Sequence, residues 1–296
     1  MGGRDFGNLY IAETVPFFGR KSTLERAAEA VTAMTIFHLI VTGWLIMAAM
    51  QLLLYFVQRT RRDAGIVDAG WAFGVGLLAI LFAVNGDGYG PRRLLMAILA
   101  GGWSLRLAIY LLRDRVFGSE EDGRYQMLRE KWGDRAQLYF FLFFQIQAVW
   151  SVLFSIPLLI VARNNVPSIT LWDWGGILIW IIAVAGESAA DSQLARFRRD
   201  PENKGLTCRV GLWRYSRHPN YFFEWIHWWT YVFLAVGAPH FWVAFIGPVV
   251  MIVFLYKITG IPYTEKRAVA SRGDDYRDYQ RTTSAFVPWF PRKRHS

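Results

Sequence analysis

Cysteine is nearly missing from this chain: Cys208 stands alone among 296 residues. No disulfide can close within the chain, which excludes a disulfide-stapled secreted module and leaves a reduced thiol as the expectation. Charge is also scarce, at 19% of residues against 54% hydrophobic, the opposite of the balance that keeps a chain disordered. The histidines at positions 38, 218, 227, 240 and 295 form no HExxH, so no metal is expected. Glu224-x-x-His227 has the spacing of half a di-iron ligand set, but the second copy that such a site requires is missing. There is no Walker lysine, no GxGxxG after a strand, no internal repeat and no low-complexity run. The first thirty residues lack a short apolar run with a small-residue cleavage site, so no removable signal is expected.

What the chain has in abundance is apolar and aromatic length, with 14 Trp, 13 Tyr and 22 Phe and a mean hydropathy of +0.22. Crossing a hydrocarbon core of about 30 Å takes about 20 mostly apolar residues. Candidate stretches lie near 33–57, 64–84, 94–112, 138–161, 172–190, 221–236 and 241–260. Lipid offers no partner to an open backbone, so these read as helices. The expected fold is all-α, a polytopic transmembrane bundle of about seven spans. Residues 1–32 are expected to form an extracytoplasmic segment and 33–296 one membrane domain with cytoplasmic loops.

The net charge of +10 first suggests orientation. Segments 58–63, 113–137, 191–220 and 261–296 hold 24 Lys and Arg, against 7 in 1–32, 85–93, 162–171 and 237–240. The positive-inside bias puts the amino terminus outside and the carboxyl terminus in the cytoplasm. Nucleic acid is not an expected partner, because the basic residues are divided among loops and interleaved with acids, as in Arg198-Arg199-Asp200-Pro201-Glu202.

Ionisable residues inside spans are costly and mark candidate sites. Asp68 opens the second span in Asp68-Ala69-Gly70-Trp71. Arg106 and Tyr110 share one helical face at i and i+4, as do Glu187 and Asp191, while Glu224 and His227 lie at i and i+3. An ion pair between Arg106 and Asp68 is the plain structural alternative. Gln145 and Gln147, with Pro157 beyond them, suggest a polar cavity and a kink, or equally polar glue between helices. The densest polar segment runs from Gly205 to Glu224, where Arg209, Arg214, Arg217, His218 and Asn220 alternate with Trp213, Tyr215 and Tyr221 ahead of a helix-starting Pro219. Forked guanidinium groups suit phosphate and flat rings suit a heterocycle, so the segment fits an anionic aromatic ligand. A membrane-interface anchor would use the same residue types.

Asp191-Ser192-Gln193-Leu194, the run from Gly211 to Tyr221 and then Glu224 resemble the carboxyl-terminal region of the steroid 5α-reductase family, its bacterial branch above all. The resemblance spans about Asp68 to Pro288 and takes in Gly260-Ile261-Pro262, Glu265 and Ser284-Ala285-Phe286-Val287-Pro288. The isoprenylcysteine carboxyl methyltransferases share Arg-His-Pro-x-Tyr, so that short motif does not choose the reaction. The resemblance implies a seven-helix reductase that takes NADPH from the cytoplasm and reduces the conjugated C=C of a 3-oxo steroid or another enone lipid. By position, Asp191, Arg198, Asn220 and Glu224 match its polar cofactor residues, and Tyr110 matches the tyrosine that holds the substrate ketone. Asn203, Lys204, Arg209, Trp213, Tyr215, Arg217, His218, Tyr221 and Glu265 complete the implied cofactor set. Trp71, Arg106 and Gln145 make up the implied substrate lining, with Asp68 as the acid beside Tyr110. The chain departs from the family at two points. It carries Glu187 where eukaryotic reductases have Asn, and Asp68 is the nearest acid to the Glu on their second helix.

Physically, a hydride arriving at the β-carbon drives negative charge onto the ketone oxygen, where a phenol donor such as Tyr110 must meet it; the cofactor carries the hydride itself. Two other classes stay open: a membrane methyltransferase using S-adenosylmethionine, and a transporter or receptor. The acidic and phenolic residues of the second and third spans speak against the first, and the lack of symmetric broken-helix pairs against the second. A monomer in a bacterial inner membrane, surrounded by lipid, is expected.

Overall fold

A computed structural model describes residues 23–113, 121–258 and 260–292. Of the expected extracytoplasmic segment 1–32, residues 1–22 therefore lie outside the described residues. The chain divides into two units, residues 1–39 and 40–296. The first contributes, among its described residues, the opening turns of α1, Thr23–Arg61. All that follows concerns the second.

There the helices are α2 Ile66–Asn85, α3 Gly90–Leu111, α4 Gly123–Trp132, α5 Ala136–Val161, α6 Leu171–Arg199, α7 Pro219–Leu234, α8 Ile246–Val253, α9 Ile261–Arg272 and α10 Asp274–Thr282. The described residues hold no strand beyond one isolated bridge, Ser216 to Ser284. Six stretches are long and apolar enough to cross a membrane: Thr35–Arg61, Ile66–Asn85, Gly90–Leu111, Gly123–Val161, Leu171–Arg199 and Phe241–Arg272. The stretch expected at 221–236 is α7, which is not among them. Its 16 residues rise about 24 Å. Pro219 sets its first turn, and the chain leaves it before Gly237, whose φ of 90° an L side chain rarely adopts.

The main contacts pair α2 with α3 and α6 with α7. Both pairs approach through small residues. A Cβ on Gly76 would lie 2.8 Å from the Ser104 Cβ, and one on Gly176 would lie 3.1 Å from the Thr230 carbonyl oxygen. Between the pairs lies an aromatic centre. Trp103 of α3 stacks on His227 of α7 at 4.3 Å, Trp71 of α2 meets the edges of Trp103 and Phe154, and the His227 Nε2 is 2.7 Å from the Tyr231 hydroxyl. The outer faces are apolar, as lipid contact requires: Leu45, Leu53 and Phe56 of α1 and Leu178, Ile181 and Ile182 of α6 are exposed.

At one end of the bundle Arg92, at the start of α3, is 1% exposed. Its guanidinium donates to both carboxylate oxygens of Asp173 at the start of α6, at 2.6 and 2.8 Å, and to the carbonyls of Asn164, Val166 and Ser168. Asp173 also accepts from the Thr170 amide at 2.7 Å, which caps α6. The other end carries the polar residues singled out in the sequence.

Candidate functional site

The carboxyl-terminal half of α6 presents Glu187 and Asp191 one turn apart, on the face that meets α3. Arg106 takes both: its Nη1 is 2.5 Å from Glu187 Oε1, and its Nη2 donates to Asp191 Oδ2. Both carboxylates are almost completely buried. The i, i+4 reading of α3 also holds, since the Arg106 guanidinium lies 5.8 Å from the centre of the Tyr110 ring. Arg106 is thus not the partner of Asp68. Asp68 instead accepts from Arg124 at 2.7 Å and from the Tyr125 hydroxyl at 2.8 Å, both on α4. The short helix α4, within the segment 113–137 expected between the third and fourth spans, supplies these partners.

Asn220, in the first turn of α7, donates to Asp191 Oδ1 at 3.3 Å. The segment before it is pinned to the end of α6: Trp213 Nε1 donates to the Ala190 carbonyl at 2.9 Å, and the Leu212 amide to Gln193 Oε1 at 2.8 Å. The tail closes over the same segment. The Arg217 amide donates to the Ser284 carbonyl at 2.9 Å, and the Ser216 hydroxyl to the Phe286 carbonyl at 2.8 Å. The three sequence blocks that carry the family resemblance are therefore one packed unit.

Arg217 and His218 turn toward α9. Arg217 Nε donates to Glu265 Oε1 at 2.6 Å, the His218 Nε2 is 3.3 Å from the same oxygen, and Gln280 donates to the other at 2.8 Å. His218 stacks on Tyr221 at 5.3 Å. Burial holds the imidazole below its ordinary range; Glu265 opposes that shift and the Arg217 charge adds to it. Tyr279 of α10 donates to the carbonyls of Trp213 and Ser216, and burial pushes its phenol well above the usual value.

These elements enclose a cavity of about 700 Å³, within the size range of small-molecule sites. Of the residues expected at the site, Tyr110, Arg198, Trp213, Arg217, His218, Asn220 and Tyr221 line it. Asp191, Arg106 and Glu265 stand directly behind that wall through Asn220, Tyr110, Arg217 and His218, and Asp68 stands behind Arg124. Others have different neighbours. Arg209 pairs with Asp275 and Asp278, Asn203 donates to the Phe197 carbonyl, and Lys204 is exposed. Tyr215 meets the Phe290 ring at 5.9 Å. Gln145 donates to the Ala48 carbonyl at 3.4 Å, which is the helix-to-helix tie considered beside a cavity role, and Trp71 belongs to the aromatic centre. Glu224, on α7, is half-buried and outside the lining.

The opposite wall was not read from the sequence. It comes from the start of α4 and the two residues before it, through Arg124, Glu121 and Asp122, and from α9 and α10 through Tyr263, Thr264, Arg267, Arg272 and Tyr276. A signal existed: Thr264, Arg267 and Ser271 follow helical i, i+3 and i+4 spacing along one polar face. The cavity is basic on balance. Arg124 is paired with Asp68, Arg217 with Glu265, and Arg267 lies 3.9 Å from Asp122, whereas Arg198 and Arg272 make no ion pair among the described residues.

Fold and site together define a polytopic helical membrane protein with a polar, basic cavity at one end of its bundle. The chain belongs to the family described as a protein of unknown function, DUF1295, whose model matches residues 54–283, a range that contains every cavity residue named above. It is also similar to an uncharacterized protein of Schizosaccharomyces pombe, 26% identical over 225 residues, which cover 67% of this chain and 65% of the yeast protein. No solved structure matches.

Proposed function

We propose that this protein is an NADPH-dependent membrane reductase of the conjugated C=C of 3-oxo-4-ene steroids or similar enone lipids. The observation that carries the reading is the meeting, in one cavity, of the half-buried phenol Tyr110, an asparagine already oriented by a buried carboxylate, and two arginines with no ion-pair partner among the described residues. The residues fit the cofactor in chemical kind. Arg198 and Arg272 suit its phosphates, the faces of Trp213 and Tyr221 suit its flat rings, and Asn220 suits an amide or a hydroxyl.

When bound, NADPH supplies the hydride. The chain does the rest. Tyr110 would donate a hydrogen bond to the ketone oxygen and stabilise the negative charge that builds there as the enone is reduced, and the α-carbon would take its proton from water. Such a donor is worth about 10²- to 10³-fold in rate in a water-poor site. Arg106, fixed by Glu187 and Asp191, holds the phenol from one side, and the same Asp191 holds Asn220, so substrate and cofactor positions share one anchor. The loop 191–220 and the tail 261–296 face the cytoplasm in this reading and the amino terminus lies outside. α7 serves as a short seventh crossing, and a single chain in a bacterial inner membrane supplies the whole site.

The test is to purify the protein in detergent and follow NADPH oxidation with a panel of steroid enones, measuring S-adenosylmethionine binding in parallel. Enone-dependent oxidation is expected. S-adenosylmethionine binding with no enone turnover would instead favour a methyltransferase.

A further inference from the structure

A second hollow of about 450 Å³ lies outside the cavity, where the tail doubles back over the end of α10. The Arg292 amide donates to the Thr282 carbonyl at 2.8 Å and the Trp289 amide to the Tyr215 carbonyl at 2.9 Å, so residues 282–292 close a loop around it. Its polar wall holds Arg217, Arg281, Arg292, Thr282 and Ser284, with no Asp or Glu among the described residues. Arg217 is already taken by Glu265. Among the described residues the acid near Arg281 is Asp278 at 3.9 Å, which Arg209 approaches more closely at 3.1 Å. The rim is apolar: Val287, Trp289 and Phe290 are 53%, 71% and 76% exposed.

A basic, hydroxyl-bearing hollow edged by exposed aromatics matches a molecule with an anionic head and an apolar body. Trp and Phe at such a rim favour the boundary between head groups and acyl chains, and each basic residue close to an anionic lipid surface adds about fivefold to affinity. A soluble anion would use the arginines but give no reason to leave two large rings in water. We propose that this hollow binds the phosphate of an anionic phospholipid, with Trp289 and Phe290 against its acyl chains. The hollow shares Arg217 with the wall of the proposed reductase cavity, but the proposal does not depend on that reading.

The experiment titrates the detergent-purified full chain with phosphatidylglycerol and with phosphatidylcholine, counts retained lipid by native mass spectrometry, and uses glycerol phosphate as a soluble competitor. Wild type should retain phosphatidylglycerol in preference to phosphatidylcholine. Joint Arg281→Gln and Arg292→Gln substitution should weaken phosphatidylglycerol about 25-fold, from about fivefold per arginine, and leave phosphatidylcholine unchanged. Both side chains are exposed and Arg292 keeps its backbone bond, so an unaltered melting temperature is expected to accompany the loss. Joint Trp289→Ala and Phe290→Ala substitution, which touches no charge, should weaken both lipids. Equal phosphatidylglycerol retention by the arginine variant overturns the proposal. So does displacement of the lipid by an equal concentration of glycerol phosphate, which would make this a soluble-anion site.

Discussion

Arg106 is the perturbation with the clearest sign. Its guanidinium sits between two carboxylates that are 3% and 6% exposed, and is itself 21% exposed. The trio sets two carboxyl groups against one guanidinium. Arg106→Met keeps the aliphatic stem and removes the charge, leaving Glu187 and Asp191 facing each other one turn apart in a medium that solvates neither. Stripping one partner from a buried pair costs about 3–5 kcal/mol. Glu187→Gln does the reverse: it keeps the shape, leaves one carboxylate for one guanidinium, and should stay within about 1 kcal/mol of wild type or stabilise it. Combining Arg106→Met with Glu187→Gln should recover part of the Arg106→Met loss, because one carboxyl fewer then faces the missing guanidinium. Equilibrium unfolding in mixed detergent micelles measures all three. If Glu187→Gln unfolds as readily as Arg106→Met, the trio is not governed by its charge balance and the reasoning fails.

Tyr110→Phe deletes only the phenol donor and should lower kcat about 10²- to 10³-fold with NADPH affinity nearly intact; wild-type turnover would make Tyr110 a packing residue. Arg198→Gln should weaken NADPH far more than NADH, as binding titrations would read, whereas an equal loss for both would move Arg198 to a diphosphate contact. Burial pushes the Cys208 thiol up, so its alkylation should be slow at neutral pH and rise only above the ordinary thiol range; rapid labelling at pH 7 would contradict the burial. Orientation is better tested at the exposed Lys204: an introduced Lys204→Cys should escape an impermeant reagent in intact cells, and labelling there would reverse the topology.

What the sequence made legible was local. The pairs Arg106 with Tyr110 and Glu187 with Asp191 follow from helical spacing, which needs no knowledge of neighbours. Which helix faces which is a packing result. The sequence therefore offered Asp68 as a partner for Arg106, while the close approach of α6 to α3 delivered Glu187 and Asp191 instead. Arg209 looked like a ligand donor because its acids, Asp275 and Asp278, come more than sixty positions later. The α9 and α10 wall carries polar residues at helical spacing, a pattern that any solvated helix face shares and that does not by itself mark a cavity. The stretch at 221–236 looked like a full span because aromatic richness conceals length, and the turn after Leu234 is set by tertiary contacts.

The knot around Arg92 bears on how the chain is assembled in its membrane. Five hydrogen bonds converge on one guanidinium, from a carboxylate and three carbonyls that all lie 72 to 81 positions later in the chain. Until those residues are synthesised and delivered to the same side, Arg92 has no reason to leave water, and the start of α3 must remain at the surface. The knot is therefore a latch that only a correctly inserted α5 and α6 can close. A ribosome-bound chain ending before Asp173 should hold α3 loosely, open to extraction or protease, and one extended past α6 should not. Lysine in place of Arg92 would carry the same charge but could not reach this many acceptors in one plane, so quality control in the membrane would see a chain that inserts and does not lock.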